Sequence, residues 1–171
     1  MSAGLICKTQ KEAIMALEMV KEWVSNNDLQ LHPDKTHIGN ALIRGQGFEF
    51  LGYRFEAGYR FVRDKSLKSF KDKVRVLTKR SRSGSIESII GELNPMLRGW
   101  FNYFKQAHYS TFKENDGFVR RRLRSIILTR KKKKNCFGIT LNAHRLYPNS
   151  YFANLNLFTS QEAWGKAYQS R

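Results

Sequence analysis

The 171-residue sequence has few acidic residues, few cysteines and no long apolar run. It carries 14 Asp and Glu against 31 Lys and Arg, and its five aspartates are scattered without forming a pair, so they predict no carboxylate cluster for catalytic metal ions. Cys7 and Cys136 lack the paired spacing of a zinc site, which favours a reducing compartment. No apolar stretch approaches the roughly 18 residues of a membrane span, and we expect no secretion signal at the amino terminus.

The positive charge is concentrated in the middle of the chain. Residues 63–134 carry 21 Lys and Arg against 6 Asp and Glu, whereas residues 1–62 carry seven of each sign. Aromatic residues are interleaved with the basic ones, a pattern typical of surfaces that neutralise phosphates and stack on bases. The 41% hydrophobic content predicts a folded protein. Composition therefore favours nucleic-acid binding, with a ribosomal or merely soluble basic protein as the alternative.

The opening of the chain is predicted to form one helix and a hairpin. Residues 9–27 have the apolar spacing of an amphipathic helix, with Thr9 as its cap. Residues 48–55 alternate as a strand in which Leu51-Gly52 is a switch or bulge, and residues 59–62 return after a turn as a second strand.

Beyond Asp64 the apolar period changes from two residues to 3.6, which predicts helices. Stripes predict one helix over 67–77, a second that Ser85 caps, and a third over 118–129. The pair Asn94-Pro95 is expected to start a new helical segment, with Asn94 as its cap. The remainder is predicted to be irregular as far as a short helix over 160–168. The predicted fold is α+β and mainly helical.

Four segments of the sequence carry a resemblance. In chain order they are Leu31-His32-Pro33-Asp34-Lys35-Thr36, Gly47-Phe48-Glu49-Phe50-Leu51-Gly52-Tyr53, the stretch from Leu93-Asn94-Pro95 to Tyr103-Phe104, and the stretch from Tyr147-Pro148-Asn149 to Leu157-Phe158. They resemble, respectively, the end of palm motif D, the hairpin that grips the primer terminus, the signature of the maturase-specific (thumb) domain, and the tail of that domain. Together they resemble the carboxy-terminal half of a group II intron reverse transcriptase/maturase, an enzyme of mobile elements.

The resemblance implies three regions: a palm remnant over 1–63, a thumb or maturase-specific three-helix bundle over 64–134, and the tail of that domain over 135–171. The Asp-Asp catalytic loop of the family would precede Leu5. We therefore expect a truncated protein that is no enzyme in isolation and holds no cofactor, since Mg²⁺ would be needed only by a complete RNA-directed DNA polymerase.

The candidate site residues are of three kinds. Lys35 resembles the motif D lysine, a weak catalytic candidate because a general acid acts only beside a bound triphosphate and metals. The primer-grip-like residues are Phe50, Leu51, Gly52 and Tyr53. The expected RNA-binding residues are Lys65, Lys68, Lys71, Arg75, Lys79, Arg80, Arg98, Arg120, Arg121, Arg122, Arg124, Lys131 and Lys132.

Two observations support this RNA-binding set. Asp72 is the only acid between Lys65 and Arg82, so the repulsion of these cations is uncompensated unless a polyanion binds. Arginine-rich faces suit the recognition of RNA shape. By contrast, Trp100 and its aromatic neighbours at helical spacing are expected in the core, and Gly99 is expected to let two helices approach closely.

The leading function is binding of structured group II intron RNA to assist its folding and splicing, with a DNA/RNA hybrid as a further partner and no membrane. One alternative is a piece of a split reverse transcriptase, completed by a separate palm fragment or accompanied by self-association through the open hairpin edge. Another is a degenerate fragment without a role. The resemblance implies the bacterial cytoplasm or an organellar matrix.

Overall fold

The computed structural model describes residues 4–33, 36–131 and 140–169. The described residues are 61% helical with a small three-stranded antiparallel sheet, which confirms the predicted α+β, mainly helical class. It divides into two compact units, a first unit of residues 1–59 and a second unit of residues 60–171. The elements of the described residues are α1 (Gln10–Asn26), β1 (Phe48–Phe50), β2 (Tyr53–Glu56), β3 (Tyr59–Val62), α2 (Asp64–Leu77), α3 (Ile86–Phe104), α4 (Tyr109–Arg130), α5 (Leu141–Leu146), α6 (Asn149–Asn154) and α7 (Ser160–Gln169).

The first unit begins with the predicted helix. The Thr9 hydroxyl accepts a hydrogen bond from the Glu12 amide at 3.2 Å, which confirms the cap of α1. The apolar residues of α1 are not enclosed, however. None of its residues is buried, and Met19 and Trp23 are 70% and 62% exposed. The helix therefore forms as its spacing predicts but does not form a core of its own.

The β1–β2 hairpin corrects the predicted bulge at Leu51-Gly52. These two residues connect separate strands, and Phe50 pairs with Tyr53 directly across them. Leu51 and Gly52 have φ values of 47° and 81°, in the left-handed region that a type I′ turn requires at both central positions when it joins two antiparallel strands. The sheet order is β1-β2-β3, so the described part of the first 63 residues forms three short strands where two were expected.

The second unit is built on α2, α3 and α4, the predicted three-helix bundle. Val74, Leu93 and Leu123, one from each helix, are fully buried in a single hydrophobic cluster. Residues after the bundle complete this cluster, since Phe152 of α6 is also fully buried in it. The tail is therefore more helical than expected in its described part, with α5 and α6 preceding the predicted α7.

The prediction that Asn94-Pro95 starts a new helix is wrong, because α3 is continuous from Ile86 to Phe104 with Pro95 inside it. Pro95 cannot donate a backbone hydrogen bond to the preceding turn. Leu93 and Leu97, buried on either side of Pro95, hold the helix against the core. Asn94 therefore does not act as a cap. Its amide nitrogen donates to the Asn156 carbonyl at 2.9 Å, and its side-chain oxygen accepts from the Phe158 amide at 2.8 Å.

Four further expectations concern the bundle. Ser85 caps α3 as predicted, its hydroxyl accepting from the Ser88 amide. Trp100 packs against the core, with its ring centroid 4.6 Å from that of Phe70. The interpretation of Gly99 is wrong, because a Cβ atom there would meet nothing within 4 Å. The third helix was predicted too short, since α4 begins at Tyr109, nine residues before the expected start.

Candidate nucleic-acid interface

The two units differ sharply in charge. Residues 60–171 contain 25 Lys and Arg against 7 Asp and Glu, a net charge of +18, whereas residues 1–59 contain 6 against 7, a net charge of −1. All of the excess positive charge therefore lies on the second unit. A charge excess of this size attracts polyanions and favours association with nucleic acid.

Several acids of the second unit already have partners. Asp72 forms an ion pair with Arg75 at 2.6 Å, and Glu92 forms one with Arg82. The Asp116 carboxylate is buried and accepts hydrogen bonds from the first two amides of α7 at 3.0 and 2.9 Å. These acids thus serve local structure and leave most of the cations uncompensated.

The basic face of α2 is the first part of the candidate interface. Lys65, Lys68 and Arg75 are exposed, and Lys71 is half-buried. Phe70 and Val74 on the opposite side of the helix are buried in the core, so the amphipathic pattern fixes which way the cations point. Lys79 and Arg80, just beyond the end of α2, are exposed as well.

A groove of about 600 Å³ lies between α2 and α3. Its floor is apolar and includes Met96 and Val76, and Val76 is 60% exposed. Three lysines also line the groove, namely Lys65, Lys68 and Lys73. The groove therefore places apolar surface and positive charge side by side, which suits a ligand with phosphates and flat apolar rings.

The other side of α2 meets α4 through an aromatic ring. The guanidinium carbon of Arg75 lies 5.5 Å from the centroid of the Phe118 ring, and that of Arg121 lies 5.3 Å from the same centroid. Phe118 itself is 8% exposed and belongs to the core. One fixed ring thus contacts two exposed arginines that are far apart in sequence. Sequence reasoning missed this role of Phe118, although its position three residues before Arg121 places both on one face of a helix.

Arg122 lies beside this pair but has a structural task. Its guanidinium donates to the Thr78 hydroxyl at 3.0 Å and to the Thr78 carbonyl at 2.7 Å. Arg122 therefore supplies a hydrogen-bond donor to a backbone carbonyl at the carboxy-terminal end of α2. Burial, together with the positive charges of Arg80, Arg75 and Arg121, lowers the pKa of Arg122 from its ordinary value. The electrostatic coupling indicates that these four cations are neighbours in the fold.

Arg124 was predicted to bind RNA, but the structure buries it in the protein, where it is only 2% exposed and not available at the surface. Its guanidinium donates to the Tyr147 carbonyl and to the Asn149 side chain, both at 2.8 Å, and lies over the Phe152 ring. Burial, and secondarily the charge of Arg120, lowers the pKa of Arg124. Arg124 therefore anchors the tail to α4.

The remaining predicted cations are dispersed. Arg98 is exposed and lies 4.9 Å over the Phe158 ring, and Arg120 is half-buried within electrostatic reach of Asp116. Lys131 is exposed, and its ammonium lies 5.4 Å from the ring centroid of Tyr147. The predicted residues Lys35 and Lys132 lie outside the described residues.

The primer-grip-like residues lie at the turn of the β1–β2 hairpin. Phe50 and Tyr53 form the last pair of the β1–β2 ladder, and Leu51 and Gly52 form its turn. Leu51 is 63% exposed. Their role in holding a primer stays a prediction.

Within residues 4–33, 36–131 and 140–169, no group of three or more His, Cys, Asp or Glu residues is placed to hold a metal ion. In the same ranges, no helix is both long enough and apolar enough to cross a membrane.

Residues 67–146, from the first turn of α2 to the end of α5, match the family model of the group II intron maturase-specific domain. The match confirms, for these residues, the predicted resemblance to the carboxy-terminal, maturase-specific part of a group II intron maturase. No match was found among curated proteins.

Proposed function

We propose that this protein binds structured group II intron RNA through the second unit and assists the folding and splicing of the intron. The observation that carries the proposal is the convergence of exposed cations from α2 and α4, on a domain of the maturase-specific family. Exposed Lys65, Lys68, Arg75 and Arg121 provide donors that can contact phosphate groups along an RNA strand.

The proposed mechanism involves no chemistry by the protein. Phosphates that approach one another in a folded RNA repel, and a rigid basic surface lowers this repulsion where strands converge. Because α2 and α4 are held by a common core, the helices that carry the cations are already fixed in place, and only the side chains lose freedom on binding. The protein would act in the compartment where the intron is transcribed, the bacterial cytoplasm or an organellar matrix.

The direct test is the affinity of the full chain for a group II intron RNA, measured over a series of salt concentrations. We expect the logarithm of the association constant to fall steeply with that of the salt concentration, because each phosphate contact releases counterions. An unrelated structured RNA of equal length is the competitor. Weak binding that hardly depends on salt would refute the proposal.

Assistance in splicing requires its own measurement. The intron should splice faster with the protein than without it at a magnesium concentration that limits splicing by the RNA alone. The Arg75→Gln/Arg121→Gln variant should lose this acceleration, whereas Arg145→Gln, which removes an exposed arginine of α5, should retain it. If the intron splices at the same rate with and without the protein, its role would be limited to binding.

A second candidate function, a piece of a split reverse transcriptase, is favoured by the first unit. None of its described residues, 4–33 and 36–59, is buried. Met15, Met19 and Trp23 follow one another at four-residue spacing on α1 and are 55%, 70% and 62% exposed. An apolar stripe of this kind is typical of a surface that another polypeptide covers.

The mass of the full chain in solution, measured at rising concentration, tests for self-association through the first unit. A palm fragment supplied as a separate chain tests the split enzyme. Met19→Lys should abolish either association, and Lys21→Gln on the same helix is the control. If the chain stays monomeric and does not bind the palm fragment, this candidate is wrong.

A further inference from the structure

The most specific feature at the surface of the second unit is the pair of exposed arginines, Arg75 and Arg121, that lie over the buried Phe118 ring. A cation that lies over an aromatic face is attracted to it electrostatically, and this attraction is stronger where water is excluded. Phe118 is almost completely buried in the core cluster, so its ring is a fixed support. Arg75 and Arg121 lie 5.5 and 5.3 Å from its centroid while remaining exposed themselves.

Holding two like charges over one ring is unfavourable unless something compensates them. Asp72 compensates one of them, since its carboxylate lies 2.6 Å from the Arg75 guanidinium. This ion pair is half-exposed on both sides and therefore weak in water. Arg121 has no ion pair of this kind within the described residues, and Arg122 adds a further positive charge beside it.

We propose that Arg75 and Arg121, positioned by Phe118, form a binding site for a phosphodiester of the RNA backbone, and that Asp72 competes with the phosphate for Arg75. The inference rests on the proposed function and adds the location of one contact and the residue that shapes it. A guanidinium presents several donors in a rigid plane that matches phosphate oxygens. Phe118 is a positioning residue here, because it acts through the arginines.

The first experiment compares variants of the full chain by their affinity for a labelled RNA hairpin across salt concentrations. Arg75→Gln and Arg121→Gln should each weaken binding and reduce the salt slope by about one. Phe118→Leu keeps both arginines and an apolar core residue, and should also weaken binding severalfold with a reduced slope. Phe118→Tyr restores the ring and should recover most of the affinity. Arg145→Gln, which also removes one exposed arginine from the second unit, is the control and should change the slope less.

The second experiment does not depend on altering the core. Asp72→Asn should increase the affinity for RNA because it frees Arg75. This increase in affinity should exceed that caused by Glu114→Gln, which removes an exposed acid from a different helix, α4. Equal effects of these two variants would overturn the proposal.

The outcomes also separate this proposal from the proposed function. A folded Phe118→Leu variant with the affinity and salt slope of the wild type would overturn the role of Phe118, while RNA binding by the second unit would stand. If the unmodified chain does not bind the intron RNA at all, the proposed function itself fails.

Discussion

Replacing Arg124 by Gln should destabilise the protein without weakening its RNA contact surface. The substitution removes two hydrogen bonds from a charged donor, those to the Tyr147 carbonyl and the Asn149 side chain. Hydrogen bonds to charged groups contribute about 1.5–3 kcal/mol each. Part of this loss is offset, because a buried guanidinium without a carboxylate partner is itself costly to desolvate. We therefore expect a loss of about 2–4 kcal/mol in the free energy of unfolding.

For a chain of this size, 1 kcal/mol corresponds to about 2–4 °C in melting temperature, so the expected decrease is roughly 5–15 °C. The assay is thermal unfolding, followed by RNA affinity measured well below the melting temperature. Arg121→Gln is the matched control, because it removes the same charge from the same helix at an exposed position. It should leave the melting temperature within about 2 °C of the wild type, as surface substitutions usually do, and weaken RNA binding.

The opposite pattern of stability and RNA affinity would refute a structural role for Arg124. An Arg124→Gln variant with an unchanged melting temperature and reduced RNA affinity would mean that the guanidinium is available to the ligand. Arg124→Lys, which retains the charge without the planar fork, should lie between the wild type and Arg124→Gln in stability.

Three further outcomes are expected. Asn94→Ala should lower the free energy of unfolding by about 1–3 kcal/mol and speed hydrogen exchange at the Phe158 amide, because the Asn94 side chain bonds both Asn156 and Phe158; unchanged exchange would contradict this. Trp100→Ala should lower the free energy of unfolding by about 3–5 kcal/mol and so damage folding before it affects binding; a normal melting temperature with lost binding would show that the indole contacts RNA. Burial raises the pKa of Asp116 in the folded state despite two amide hydrogen bonds, so stability due to this group should fall as the pH rises from its ordinary pKa of 3.8 through the folded value. Asp116→Asn should remove that slope in thermal unfolding at a series of pH values.

Local rules predicted much of the second unit, and they failed where distant residues decide the outcome. Asn followed by Pro is a common start of a helix, and the rule gives a cap at Asn94. The amide instead bonds the backbone of Asn156 and Phe158, more than 60 residues later, and both sides of Pro95 pack into the core. No pattern near residue 94 contains that information.

The cations of α4 illustrate the same limit for the site. Arg121 and Arg124 lie only about 60° apart around a helix, and both belong to one basic run. Their opposite burial depends on where the tail returns, since Tyr147 and Asn149 enclose Arg124. Charge content could therefore predict a basic surface, whereas the exposed and the buried members of the basic run could be told apart only from the tertiary structure.

The most direct test of an RNA contact on the second unit is chemical modification of lysines, analysed by mass spectrometry with and without intron RNA. Lys65, Lys68 and Lys73 around the groove of α2 should be protected by the RNA, because they lie on the proposed contact face. Lys11 and Lys21 of α1, on the unit with a net charge of −1, should react equally in both conditions. Protection confined to α1, or equal reactivity of the α2 lysines with and without RNA, would contradict the account.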